Sequence, residues 1–247
     1  MAARMRAFDW ESHPLGPPHS WPQSLKVAVR ILLTSRFAMW MGWGPDYTFF
    51  CNDAYLPTLG NKHTWALGAS TKQVWAEIWP VVGPRADKVV RTGAATWDEA
   101  LRLFLERSGY AEETYHTFSY SPLPDDAGRI GGMLCVVTED TERVISERRL
   151  ALLGTTAASL AAATTERDLL KAFNDEIVSR PHDVPFALLY LADSAAQTAR
   201  LACSPGTEAG SPIAPVTFDL HAAEAPWPLA AANASGRIVT VDARESG

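Results

Sequence analysis

The 247-residue sequence predicts an α+β protein: a five-stranded antiparallel sheet with helices on one face, followed by a partial second α+β domain. Between residues 37 and 145, two apolar strand-like stretches, a set of short helical pieces, a longer helix and three more strand-like stretches succeed one another, the order such a sheet requires. The composition then shifts. Eight of the nine tryptophans precede residue 100, whereas alanine is concentrated after residue 150. These observations divide the chain into an N-terminal extension with an amphipathic helix (1–36), a sheet domain (37–145), a connecting helix (146–164) and a second, partial domain (165–247).

The first element is a helix. Ser20 and Gln23 have capping-box spacing, and Leu25, Ala28, Val29 and Leu32 then line one helical face. Phe37 to Trp43 and Tyr47 to Cys51 read as a hairpin around Gly44-Pro45-Asp46. Both strands are apolar on both faces, which suits central strands better than a half-wet sheet. Asn52 and Asp53 stand where a side chain accepts the free N–H groups of a helix, and Pro57 and Gly60 keep that helix short. A second capping box, Ser70 with Gln73, opens a helix over Val74 to Thr92. Pro80 and Gly83-Pro84 bend or split it, and Gly93 ends it. The strand from Thr96 places Trp97, Leu101, Leu103 and Leu105 on one side. Residues 112–124 are rich in threonine and aromatics, as strands prefer. After a turn at 125–129, residues 130–140 run back.

In the connecting helix, Leu150, Leu153, Ala157 and Leu160 recur at 3, 4 and 3. The spacing is heptad-like, but shorter than the three to four heptads of a firm coiled coil. It makes a candidate dimer and signalling seam, with Gly154 inside it, although the same stripe would also suit docking on its own sheet. Thr165 with Asp168 caps a fresh helix carrying Leu170, Phe173 and Ile177. Strands at 185–192 and 199–206, a loop and strand at 211–220, a short helix at 225–236 and a last strand at 237–242 complete the reading.

Several function classes are disfavoured. A net charge of −6 gives no global nucleic-acid footprint, although it leaves room for a local basic patch. Cys51, Cys135 and Cys203 are too far apart for a zinc or disulfide framework, so the chain reads as cytoplasmic. No apolar run is long enough to span a membrane, and no signal peptide is visible. Glu112 and Glu113 are adjacent and face opposite ways in a strand. Asp53 has no evident catalytic partner, and Asp125-Asp126 lie in a solvated turn. No nucleophile is paired with a base at readable spacing, so no catalytic residue is assigned, and no His/Cys/Asp cluster suggests a metal.

The stretch from LGPPHSWPQSL through CNDAYLPTLGNKH, VWAEIW and GYAEETYHTFSYSPL to GRIGGMLCVVTEDTERV, about residues 14–149, resembles the N-terminal PAS sensor domain of bacterial multidomain signalling proteins, typically sensor histidine kinases. The segment beyond it resembles the opening of a GAF domain, with its leading helix at 165–179 and a strand at 186–192. The resemblance implies two-component signal transduction, a homodimer, and a downstream kinase or output domain in cis, reaching a response regulator through it. No phospho-accepting histidine followed by an ATP-binding region is present, and His182 lies in a loop. The chain therefore reads as a sensory region without activity of its own.

The resemblance also sharpens the cofactor question. Light-sensing relatives carry Asn-Cys-Arg-Phe beyond the second strand; here Cys51 precedes Asn52, in the wrong register for a flavin. Haem-binding relatives use a histidine on the long helix, and residues 74–92 contain none. No cofactor is expected. A small planar or aromatic ligand would lie in a pocket of Met39, Met41, Trp75, Trp79 and Met133, with Tyr55 or His116 as polar anchor. The competing readings are a tryptophan-rich core without a ligand and, for the whole chain, a ligand-free dimerisation scaffold.

Overall fold

The computed structural model describes residues 1–193, 195, 197–221 and 226–241. They form two compact units, Met1–Ile145 and Ser146–Gly247.

The first unit opens with a short helix α1 (Ala2–Ala7) and then α2 (Gln23–Thr34), which buries Leu25, Ala28, Val29 and Leu32. The predicted capping box does not form. Ser20 lies in a one-turn helix, and its hydroxyl donates to the Pro17 carbonyl. The free N–H groups of Gln23 and Ser24 are instead accepted by the carboxylate of Asp126, each at 2.8 Å. That turn residue was expected to be merely solvated. A carboxylate there meets both the unfilled donors and the positive end of the helix dipole.

Strands β1 (Ala38–Trp43) and β2 (Thr48–Cys51) make the predicted hairpin. Asn52 comes next, 1 % exposed, and uses its whole side chain. Its Oδ1 accepts the N–H groups of Met39 (3.1 Å) and Tyr55 (3.2 Å), while Nδ2 donates to the carbonyls of Ser35 (3.2 Å) and Phe37 (2.7 Å). The residue caps the next turn, as its position suggests, and also ties β1 to β2. Helix α3 (Leu56–Leu59) stops at Gly60, whose φ is 52° and where a Cβ would stand 2.3 Å from the Arg107 carbonyl oxygen.

The helix expected over 74–92 is two helices, α4 (Thr71–Val74) and α5 (Trp79–Thr92). The break falls at 75–78 and not at Gly83-Pro84. Pro80 sits in the first turn of α5, where no N–H is needed. Ser70 donates to the Asp46 carbonyl at 2.9 Å and makes no side-chain cap.

Strands β3 (Thr96–Leu105), β4 (Glu112–Pro124) and β5 (Ile130–Glu139) complete a five-stranded sheet of order β2-β1-β5-β4-β3, antiparallel throughout. The alternation read for β3 is corrected by a bulge. Asp98 pairs with Phe118 but Leu101 with His116, so β3 carries one extra residue there, and Ala100 takes a φ of 44°. Leu103 and Leu105 are buried, while Trp97 points the other way and is 67 % exposed.

Helix α5 packs on β4 and β5, while α2 contacts β1, β2 and β4. Phe50 stacks on Trp10 (5.5 Å between centroids) and meets Trp21 edge-on (5.7 Å). Its cross-strand partner is Met41, whereas Trp40 pairs with Cys51 and Cys135 on the alternate face. The sheet is therefore covered on both faces: α3–α5 lie on one, and the N-terminal segment with α2 covers the other. That second cover explains why β1 and β2 are apolar throughout.

Helix α6 (Thr141–Ala162) contains the boundary between the units. In the second unit, Leu152 of α6 is buried whereas Leu150 and Leu153 are exposed. Glu176 of helix α7 (Glu166–Val178) accepts from Thr155 (3.2 Å) and Ser159 (3.0 Å). Thr165 caps α7 by accepting the Asp168 N–H at 3.2 Å. Strands β6 (Leu189–Asp193), β7 (Thr198–Cys203) and β8 (Thr217–Asp219) form an antiparallel sheet in that order, followed by α8 (Leu229–Ser235). The strand expected at 237–242 does not form over Arg237–Val241; Asp242 lies outside the described residues, as does Ala225 of the expected helix. Among the described residues, no helix is long and apolar enough to cross a membrane.

Candidate functional site

A cavity of about 30 Å³ lies between the α3–α5 layer and the sheet. Each surrounding element supplies part of its wall. Strand β1 gives Trp40; the turn into α3 gives Tyr55 and Thr58; the α4–α5 break gives Trp75 and Ile78; and α5 gives Val82. From the sheet come Leu103 and Leu105 of β3, His116, Phe118 and Tyr120 of β4, and Cys135 and Val137 of β5. The space suffices for about two waters, well short of the several hundred Å³ of a preformed organic-ligand pocket.

No charged side chain lines the cavity. Burial raises the pKa values of Tyr55 and Tyr120 well above the usual tyrosine range, so both are neutral phenols. Burial also raises the Cys135 thiol, against an opposing hydrogen bond from Trp40. Burial is the main cause that lowers His116; Glu139 and Asp140 oppose it and Arg107 adds to it. The imidazole is therefore neutral near pH 7.

Trp75 Nε1 and His116 Nε2, on two of the lining residues, are buried and have no hydrogen-bond partner in the protein. Buried polar groups are normally paired. Both residues are also braced from outside. Lys62 Nζ stands 4.5 Å from the centroid of the Trp75 ring, donates to the Val74 carbonyl at 2.9 Å and pairs with Glu77. His116 lies across the β4–β5 ladder from Glu139. Arg107 holds Glu139 with two bonds of 2.8 and 2.9 Å, and Glu112 with one of 3.0 Å.

The residues singled out by sequence separate. Tyr55, Trp75 and His116 are brought together on the cavity wall. Met39, Met41, Trp79 and Met133 are not part of it. Met39 and Met41 point to the α2 face because strand parity opposes them to Trp40. Trp79 begins α5 and packs beside Gly83 and Tyr47, since the break after α4 removes the helical face it was to share with Trp75. Met133 pairs with Gly42, nearer the start of β5 than Cys135. Phe118 and Tyr120 were missed although they alternate with His116, and that period-2 pattern is the signal that finds them. Of the seam residues, Leu150, Leu153 and Ala157 are exposed and Leu160 is half-buried.

The Cys51 thiol is 1 % exposed and pushed up to about 12, chiefly by burial, so it is a packed apolar group and not a reactive one. Among the described residues, no group of three or more His, Cys, Asp or Glu is placed to hold a metal.

No family model matches the chain. No curated protein matches it either. Among solved structures, it is similar to one described as an RNA-binding Light-Oxygen-Voltage receptor, at 22% identity over 60% of this chain and 42% of that one, with a TM-score of 0.40. It is also similar to the PAS domain of BvgS from Bordetella pertussis (17% identity, 53% of this chain and 98% of that one, TM-score 0.35). A third is a sensory box sensor histidine kinase from Vibrio cholerae (14% identity, 47% of this chain and 90% of that one, TM-score 0.34). The chain spans less than half the length of the first of these. At TM-scores of this size the fold rests on strand order and pairing, and the β2-β1-β5-β4-β3 antiparallel sheet with α3–α5 across one face matches the PAS fold.

Proposed function

We propose that the first unit is a cytoplasmic sensory domain whose ligand site is the cavity walled by Tyr55, Trp75 and His116. Its state is relayed through α6 of a homodimer to a histidine kinase or other output module, and the second unit is a partial GAF-like domain. The observation that carries the proposal is a small space between the α3–α5 layer and the sheet, walled by aromatic side chains and by the neutral Tyr55 and Tyr120, with no charged group on its wall. The ligand is uncharged, because no lining group would compensate a buried charge.

Native mass spectrometry of the freshly purified chain, together with a small-molecule screen read by tryptophan fluorescence, tests this. A retained or added neutral compound is expected to bind the wild type and to bind at least tenfold more weakly to His116→Leu. A screen in which no bound compound depends on Trp75 or His116 would end the sensory reading of this cavity.

The second reading is a ligand-free dimerisation scaffold. It is favoured by the exposure of Leu150 and Leu153 on one side of α6, while Leu152 on another side is buried. A stable dimer with no ligand dependence supports it.

A further inference from the structure

We propose that the cleft between the N-terminal segment and α2 is a second binding site of the first unit, for a small molecule with a ring-sized apolar body and no net charge. The proposal does not rest on the sensory reading of the interior cavity, which lies on the other face of the sheet. The cleft offers about 500 Å³, within the range of organic-ligand sites, where the interior cavity has about 30 Å³.

Its floor is built and held. Met5, Trp10, Trp21 and Val29 line it, each at most 9 % exposed. Trp10 stacks on Phe50 of β2, and Trp21 meets that ring edge-on. Trp10 Nε1 donates to the Met5 carbonyl at 2.8 Å and Trp21 Nε1 to the Gly16 carbonyl at 2.7 Å. Both indole N–H groups are thus already spent, and these four side chains offer apolar surface with no free donor. An apolar body gains by leaving water for such a floor, and rings already fixed in place lose little freedom when it arrives.

The charges of the wall select against ions. Arg6 of α1 and Lys26 of α2 stand against Asp9 and Glu11 of the intervening segment. Asp9 is ionised, since hydrogen bonds from Ser12 hold its carboxyl below the usual carboxylate range. Two charges of each sign cancel, so either ion meets repulsion as well as attraction and gives up hydration on entering. A molecule without net charge avoids that cost.

The test uses the full chain labelled with 5-fluorotryptophan and read by ¹⁹F NMR. The Trp10 and Trp21 signals are identified by their loss in Trp10→Phe and Trp21→Phe. Benzyl alcohol, phenylacetate and benzylamine present one ring with no charge, a negative charge and a positive charge. Benzyl alcohol is expected to move both signals and to bind at least as tightly as either ion. Ala2→Trp fills the cleft from a half-buried lining position and should weaken it at least tenfold, while His116→Leu should leave it unchanged. Arg6 and Glu11 are exposed, so replacing them spares the fold. Arg6→Glu should favour benzylamine over phenylacetate, and Glu11→Lys the reverse, each by about two- to fivefold. If circular dichroism shows that a tryptophan or Ala2 variant does not fold, these two charge variants decide alone. No signal moved by any of the three compounds, an ion that outbinds benzyl alcohol more than threefold, or charge variants without effect overturns the proposal. Signals that move with protein concentration alone make the cleft a contact between copies and also overturn it. Binding lost in His116→Leu but kept in Ala2→Trp assigns the ring to the interior cavity, which keeps the sensory reading and removes this site.

Discussion

Replacing Asn52 by alanine should unfasten the start of the sheet. The change removes four hydrogen bonds, of which those to the N–H groups of Met39 and Tyr55 are buried. A buried donor left unpaired costs about 1–3 kcal/mol. The carbonyls of Ser35 and Phe37 are partly buried, so water recovers some of what they lose. The sum is about 3–5 kcal/mol, a large share of the roughly 5–15 kcal/mol that stabilises a domain, and it corresponds to a fall in Tm of about 10 °C for a unit of this size. Asn52→Asp keeps the acceptors and loses both donated bonds, and once ionised it buries a charge, so in that form it should be no milder than alanine. Urea unfolding followed by tryptophan fluorescence is the assay. Eight of the nine tryptophans lie before residue 100, so the signal reports on the first unit. A loss below about 1 kcal/mol in both variants would refute the view that Asn52 ties the sheet together.

Other outcomes rest on named contacts. Asp126→Asn should lower Tm and flatten the acid side of the stability profile. The backbone N–H groups of Ser24 and Gln23 hold the Asp126 carboxyl below its ordinary 3.8, so its contribution is whole above that value and is lost as pH falls through the lower folded pKa. His116 has the same sign for a different reason. Burial lowers it from 6.5, so wild-type stability should decline as pH falls below about 6.5 and level off beneath the folded pKa; His116→Gln, followed by urea titration across pH, should remove that decline. On α6, Leu153→Glu should shift a wild-type dimer toward monomer in sedimentation without changing circular dichroism, because Leu153 is already exposed in the single chain, whereas Leu152→Glu should unfold part of the second unit. A wild type that stays monomeric at every concentration would exclude the α6 seam.

The sheet was legible because its strands carry their own punctuation: Gly44-Pro45-Asp46 turns the first hairpin, and β-branched and aromatic residues fill β4. Asn52 was legible as a cap because its partner, the Tyr55 N–H, is local. Ser20 and Ser70 have the same local credentials, yet α2 is capped by Asp126 from far along the chain, and the Ser70 hydroxyl is drawn to the Asp46 carbonyl. Local spacing cannot register a distant competitor. The cavity was partly legible for a similar reason. Tyr55, Trp75 and His116 carry chemistry that suits a pocket. Met39 and Met41 sit in strands buried on both faces, where apolar character says nothing about which face a residue joins. Parity with Cys51 and Cys135 does, through the register of β1 against β2 and β5. Trp79 was misplaced because Pro80 reads as a kink inside a helix when it marks the beginning of a new one.

The extra residue in β3 also bears on whether copies of this protein can pair through the sheet edge. β3 is an outer strand of the sheet, and an outer strand offers unpaired backbone groups to any extended segment that meets it. A flat ten-residue edge would be a ready template for intermolecular pairing. Ala100 divides it into two short runs of opposite phase, and a bulge adds twist where a guest strand would need a level ladder. An incoming strand that matched Thr96–Asp98 would be one residue out of step by Leu101, with its side chains on the wrong faces. Solubility of the exposed edge is thus built into the count of residues along it: deleting Ala100 would straighten the strand, and with it create an aggregation surface that bears Trp97.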